Sequence, residues 1–197
     1  MDNKIKMGPK TWIYPMHALL IGANVYDKPN FMTMAWGGIA CAKPPMIAAT
    51  VAARRYTAIG IKQNMTFSVN IPSIDQVKET DYCGLVSGSE SSKAEACEFN
   101  VFYGNLGSAP LIEQCPLNME CKVVHILELG TMLLVIGEIV ETYISEKCLT
   151  RGKPDVSKIR PIVFTEPFPH QYHALGEVIA EAFSVGRDIH RKRKGEE

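Results

Sequence analysis

The run Asn30-Phe31-Met32-Thr33-Met34-Ala35-Trp36-Gly37-Gly38-Ile39-Ala40-Cys41 sets a hydroxyl, an indole, two adjacent glycines and a thiol along one extended segment, with Pro44 and Pro45 just beyond. That mixture suits a flat aromatic ligand with a polar rim. The indole offers a stacking face and the glycines leave room beside it. The competing reading of Trp36 is plain core packing, and of Cys41 a packed thiol.

Arg54-Arg55-Tyr56-Thr57 falls where a strand gives way to a helix. First-turn N–H groups, the positive helix end, a hydroxyl at the cap and two guanidiniums make a place for a phosphate. The alternative is a solvated strand end with a routine cap. Lys93, after Ser87-Gly88-Ser89-Glu90-Ser91-Ser92, opens another helix. A cation there opposes the helix dipole, so it is better placed if an anion sits close by. Asn70 interrupts the apolar strand Phe67–Ile71, and its buried amide must pair either with backbone or with a ligand rim.

Other chemistries lack their residues. The chain has no G-x-S-x-G elbow, Walker loop, H-E-x-x-H helix or G-x-G-x-x-G, so hydrolase, triphosphatase, zinc-protease and Rossmann readings have no support. His17, His125, His170, His173 and His190 show no ligand spacing, and the six cysteines form no C-x-x-C pair, so no metal site is expected. The cysteines are read as buried fillers in a reducing compartment. Twenty-one basic and twenty-one acidic side chains cancel, so no global field draws nucleic acid or an anionic membrane. The charged opening Met1–Lys6 lacks the pattern of a secretory signal, and a cytoplasmic protein is expected. Val123–Ile144 is apolar enough to suggest a membrane span. His125, Glu128, Glu138 and Glu141 interrupt it, however, and two strands joined near Gly130 fit better.

The elements that must position these groups are mostly strands. Met16–Ala23, Met32–Cys41, Ile47–Ala53, Phe67–Ile71, Leu117–Leu129, Thr131–Ile144 and Ile159–Phe164 are rich in apolar and β-branched residues and bounded by turn formers. Short helices are expected from a Thr57 cap to about Met65, from a Ser73/Gln76 capping box to about Cys83, and from Ser92 with Glu95. Leu175, Val178, Ile179, Ala182 and Phe183 follow the rhythm of an amphipathic helix. With 46% hydrophobic residues and no linker, residues 1–186 read as one domain, followed by a charged tail, 187–197, that is solvated or a nucleic-acid arm.

In their joint order, Asn30-x-Met32-Thr33-x-Ala35-Trp36-Gly37-Gly38, Pro44-Pro45, Tyr56-Thr57, Phe67-Ser68-Val69-Asn70-Ile71-Pro72-Ser73, Ser87-Gly88 ahead of Lys93, Gly137-Glu138-Ile139-Val140 and Pro161-Ile162-Val163-Phe164 closely resemble the flavoredoxin branch of the flavin reductase-like FMN-binding split-barrel family. So does the ending Tyr172-x-x-x-Gly176-x-x-Ile179-x-x-Ala182-Phe183-Ser184-x-Gly186. The resemblance implies a mainly β protein, a six-stranded antiparallel Greek-key split barrel with peripheral helices, forming a homodimer. It implies bound FMN, with Thr33, Met34, Ala35, Trp36 and Cys41 beside the isoalloxazine. Thr57, Asn70, Ser87, Gly88 and Lys93, with Arg54 or Arg55, would then meet the ribityl phosphate. The expected function is a flavin-dependent oxidoreductase working with NAD(P)H, another small molecule or a protein electron carrier. The other reading is a non-redox flavin-binding module.

Overall fold

In the computed structural model, which describes residues 3–187 and 189, the chain alternates short turns with extended segments, and the segments pair antiparallel throughout. The short strand β1 (Met16–His17) leads into β2 (Leu19–Val25), β3 (Lys28–Met34), β4 (Gly37–Ala42), β5 (Pro45–Ala52) and β6 (Thr66–Ile71). The short pair β7 (Val101–Phe102) and β8 (Leu111–Ile112) precedes the long hairpin β9 (Leu117–Leu129) and β10 (Met132–Ile144). The main sheet has seven strands in the order β3-β2-β6-β9-β10-β5-β4.

Six of those strands wall one core. Leu19, Ile21 and Ala23 of β2 meet Met32 and Met34 of β3, Ile47, Ala49 and Val51 of β5, Phe67 and Val69 of β6, Cys121 and Val123 of β9, and Leu133 and Val135 of β10. Alternation places every second residue of β5 inward. The seventh strand, β4, pairs only with β5 and gives nothing to this core; its Ile39 is 69% exposed. The expected count of six therefore describes the barrel wall, to which β4 is added as an edge.

One strand boundary departs from expectation, and the expected turn near Gly130 is present. The segment read as one strand over Met32–Cys41 breaks at Ala35-Trp36, because the chain leaves its pairing with β2 and enters a pairing with β5. At this corner the Trp36 carbonyl accepts from the Thr50 N–H at 2.8 Å. Gly37 is required there, since a Cβ would lie 2.8 Å from the Ala48 carbonyl oxygen and from the end of Met34. The apolar stretch 123–144 is a hairpin, turned at Gly130 with φ +59°.

Helix α1 (Tyr56–Asn64) lies over β2, and Gly60 lets the two backbones approach, for a Cβ there would strike the Asn24 carbonyl. Its cap is Arg55 rather than Thr57, which sits one residue inside the helix. The Ser73/Gln76 capping box is present on a 3-10 turn that runs into α2 (Val77–Leu85). Ser92 caps α3 (Lys93–Ala96) by accepting from the Glu95 N–H. A small sheet joins β1 to Ile162–Thr165 and Gln171–Ala174.

The amphipathic helix expected around Leu175–Phe183 is not formed. That stretch is extended or turned, with Val178 87%, Ile179 98% and Phe183 95% exposed. A helix of this length is marginal in water without a surface to cover its apolar face, and the described residues leave Val178, Ile179 and Phe183 uncovered. The tail read over 187–197 lies, except for Arg187 and Ile189, outside the described residues.

Candidate functional site

β3 is one of the two edges of the main sheet, and three elements close against it: α1, α2 and α3. Between them opens a cleft of about 420 Å³ lined by Arg54, Arg55, Thr57, Ser87, Gly88 and Lys93, together with Met32, Tyr56 and Gly84–Val86. Six residues singled out from the sequence, drawn from three separate segments, thus meet in one place.

Two of the three cations, Arg55 and Lys93, are held there by main chain. Arg55 donates through Nη1 to the Gly84 carbonyl at 3.0 Å. Lys93 is 3% exposed, and its Nζ donates to the carbonyls of Phe31 at 2.8 Å and Cys83 at 2.9 Å. An ammonium has three N–H donors, so one is left for the cleft. The Phe31 bond places β3's alternate peptide groups: Phe31 and, two residues on, Thr33 face away from β2 toward α2 and α3. Thr57 accepts from Asn30 Nδ2 at 2.7 Å, which leaves its hydroxyl proton available.

Among the described residues the ion pairs are Lys62–Glu128 and Arg160–Asp75, both on the surface, and neither touches the cleft. The cleft cations therefore lack a carboxylate within 4.0 Å. Burial holds the Lys93 ammonium below its usual 10.5, opposed by Cys83 and reinforced by Arg55. A buried ammonium on α3 facing the N-terminus of α1 across one cleft fits an anion, and a phosphate supplies an acceptor for the donors left over.

A second cleft, of about 440 Å³, opens at the corner between β3 and β4. Ala35, Trp36 and Gly37 form one side, and the N-terminal segment Lys10–Ile13, with Pro15, Met16 and His17, forms the other. Trp12 and Trp36 are 40% and 38% exposed, and Lys10 Nζ lies over the Trp12 ring, 5.6 Å from its centre. Met32 lines the first cleft and Ala35 the second. At the rise of an extended chain the two clefts stand roughly 10 Å apart.

Other residues named from the sequence lie elsewhere. Asn70 is fully buried, and its amide is spent on protein: Nδ2 donates to the Leu20 carbonyl and Ser68 Oγ, while Oδ1 accepts from the Ile112 N–H and Asn118 Nδ2. It lines neither cleft, because its strand β6 is interior to the sheet. The Met34 side chain points into the barrel core. Thr33 is half-buried, its hydroxyl donating to the Thr80 carbonyl. Cys41, on β4, bonds weakly to the Lys43 carbonyl at 3.4 Å and lines neither cleft. Four of the other cysteines are buried, and desolvation pushes the Cys115 and Cys121 thiols up to about 12. The segment carrying Lys10, Trp12 and His17 was not singled out from the sequence; Trp12, one of two tryptophans in the chain, was the available signal.

A family model described as flavin reductase like domain matches residues 13–161. The crystal structure of flavoredoxin from Methanosarcina acetivorans superposes with a TM-score of 0.91 at 42% identity, covering 95% of this chain and 100% of that one. Flavoredoxin of Desulfovibrio vulgaris (Miyazaki F) does so with a TM-score of 0.87 at 34% identity, over 93% of this chain and 100% of its own. An FMN-binding protein from Thermus thermophilus shares the fold, with a TM-score of 0.76 at 21% identity over 92% of this chain and 100% of that one. Among the described residues no helix is long and apolar enough to cross a membrane.

Proposed function

We propose, from the premise that the chain belongs to the flavin reductase like domain family, that it holds FMN non-covalently across the two clefts and acts as an oxidoreductase through it. The observation that carries this reading is the cationic cleft: Arg54, Arg55 and Lys93 converge beside the N-terminus of α1, and among the described residues no carboxylate pairs with them. A phosphate monoester fits those donors. The second cleft, lined by Trp36 and Trp12, would hold the ring.

In this arrangement the flavin supplies the redox chemistry, and the protein supplies position and electrostatics. Lys93 and Arg55 neutralise the phosphate and anchor the ligand at one end. Thr57 and Ser87 offer hydroxyl donors, and Gly88 lets the loop backbone come close. The outward peptide groups of β3 near Thr33 face the polar rim of the ring, where an N–H donor favours an electron-rich ring edge.

The finer reading is that reducing equivalents enter from NAD(P)H and leave to a small acceptor. A role as an electron carrier between proteins is the second reading, and a non-redox flavin module the third. Stopped-flow mixing of the FMN-loaded protein with millimolar NADH or NADPH separates them. Bleaching supports the reductase, its absence with reversible chemical reduction supports the carrier, and a flavin that cannot be reduced reversibly leaves only the binding module. We also propose that 1–186 work as one unit in a cytoplasmic homodimer. The shared six-stranded core supports the first point, the six unpaired cysteines the compartment, and the exposed apolar residues 178–185 the dimer.

A further inference from the structure

Cys83 and Cys97 lie together behind the cationic cleft. Cys83, near the end of α2, is fully buried, and Cys97, the residue that ends α3, is half-buried and packs against the same small apolar cluster. Their thiols are within hydrogen-bonding reach of each other. Cys115 shares the cluster, but it is 1% exposed and already bonded by Gln76 Nε2 at 3.7 Å. Cys97 instead opens into a cavity of about 290 Å³, lined also by Lys78, Glu79, Tyr82 and Glu98, through which a small oxidant can reach it.

Backbone hydrogen bonds tie this pair to the cleft. The Cys97 N–H donates to the Lys93 carbonyl at 3.0 Å, and Lys93 Nζ donates in turn to the Cys83 carbonyl at 2.9 Å. The next carbonyl, Gly84, accepts from Arg55 at 3.0 Å. Two of the cations are therefore aimed by the backbone that carries the two sulfurs. A disulfide needs its sulfurs at about 2.05 Å, closer than two thiols pack, so closing one draws the end of α3 toward α2 and shifts Lys93 with it.

We propose that Cys83 and Cys97 are a reversible dithiol–disulfide site, oxidised by peroxide, whose closure weakens phosphate binding in the cleft; the second half rests on the flavin reading above. The Cys97 thiol loses its proton and its sulfur attacks the peroxide: an S–O bond forms, the O–O bond breaks, and the leaving hydroxide takes up a proton as water. The Cys83 thiol then gives up its proton and its sulfur attacks the Cys97 sulfur. The S–S bond forms, the S–O bond breaks, and a second water leaves. The two thiols lose two electrons to one peroxide, and a thiol reductant returns them. Burial raises both thiols and the Lys93 ammonium opposes the rise, so the pair answers sustained peroxide rather than a trace. Transient, redox-sensing pairs are the usual disulfides of a reducing compartment.

Hydrogen peroxide treatment of the wild-type protein, followed by thiol blocking, peptide mapping by mass spectrometry and calorimetric titration of the apo-form with FMN, tests both halves. The expected product is a peptide joining Cys83 to Cys97, lighter by about 2 Da than the two thiols and lost on reduction with dithiothreitol. The oxidised protein should bind FMN at least fivefold more weakly, with the affinity restored by dithiothreitol. Cys97→Ser should show neither the joined peptide nor the loss. Absence of the joined peptide, or Cys97 carried to sulfinic acid with Cys83 still free, overturns the site. A joined peptide with FMN affinity within twofold of the reduced form overturns its control of the cleft. Failure of the reduced protein to bind FMN overturns the flavin reading instead, and the mass spectrum still decides the thiol pair.

Discussion

Lys93 Nζ donates to the Phe31 carbonyl oxygen at 2.8 Å, tying the short helix α3 to the free edge of β3 and holding a buried ammonium beside the cationic cleft. Replacing it with methionine keeps much of the bulk and removes the charge. A charge-assisted hydrogen bond contributes about 1.5–3 kcal/mol, so Lys93→Met is expected to weaken FMN by roughly tenfold to 150-fold. Riboflavin, which lacks the phosphate, should change by less than twofold. Calorimetry with both ligands checks this, and equal weakening would place the ammonium away from the phosphate.

The same lysine predicts a pH dependence. Its pKa in the folded protein lies below 10.5, first through burial and then through Arg55. Between that depressed value and 10.5 the unfolded chain holds more protons than the folded one. This group's contribution thus makes the empty protein more stable as pH rises through the window. Phosphate binding needs the charged form, so FMN affinity falls with pH over the same alkaline window and binding takes up protons. Titrations in buffers of differing ionisation enthalpy measure that uptake, which Lys93→Met should abolish.

Asn70 separates a structural role from a ligand role. Asn70→Ala strands the Ile112 N–H and one N–H of the Asn118 amide, whose other bond runs to the Ile112 carbonyl, at a cost of about 2–4 kcal/mol of folding free energy. Denaturant unfolding should show that loss while FMN affinity stays within twofold. A large affinity loss with unchanged stability would reverse the assignment.

Gly88→Ala would drive a Cβ into the Asn30 carboxamide and to 2.7 Å from the Tyr56 ring. Asn30 also donates to Thr57, so the displacement reaches a hydroxyl of the cleft. Overpacking of this kind costs about 1–3 kcal/mol. Both thermal stability and FMN affinity are expected to fall, read by a melting curve and by calorimetry.

Much of the site was legible because charge and glycine placement are local signals. Arg54-Arg55, Ser87-Gly88 and Lys93 each announce themselves in a few residues, and the structure brings the three segments to one cleft. Asn70 was ambiguous for a physical reason: a buried amide must be paired, but the sequence does not say with what. The break at Ala35-Trp36 was hidden because the residues on either side are apolar and β-prone, and only the change of pairing partner from β2 to β5 reveals a corner. The rhythm of Leu175–Phe183 was real, yet a period gives a helix only where its face is covered. That is itself testable: Ile179→Asp with Phe183→Asp should convert the proposed dimer into a monomer in sedimentation velocity, and a dimer unchanged by the substitutions, or a monomeric wild type, would contradict it.

On the proposed reading, the cations beside β3 bind the phosphate of a flavin. Parallel titration of the wild-type apo-protein with FMN and riboflavin tests it most directly. FMN is predicted to bind at least a hundredfold more tightly than riboflavin, and equal affinities, or no binding of either, would contradict it.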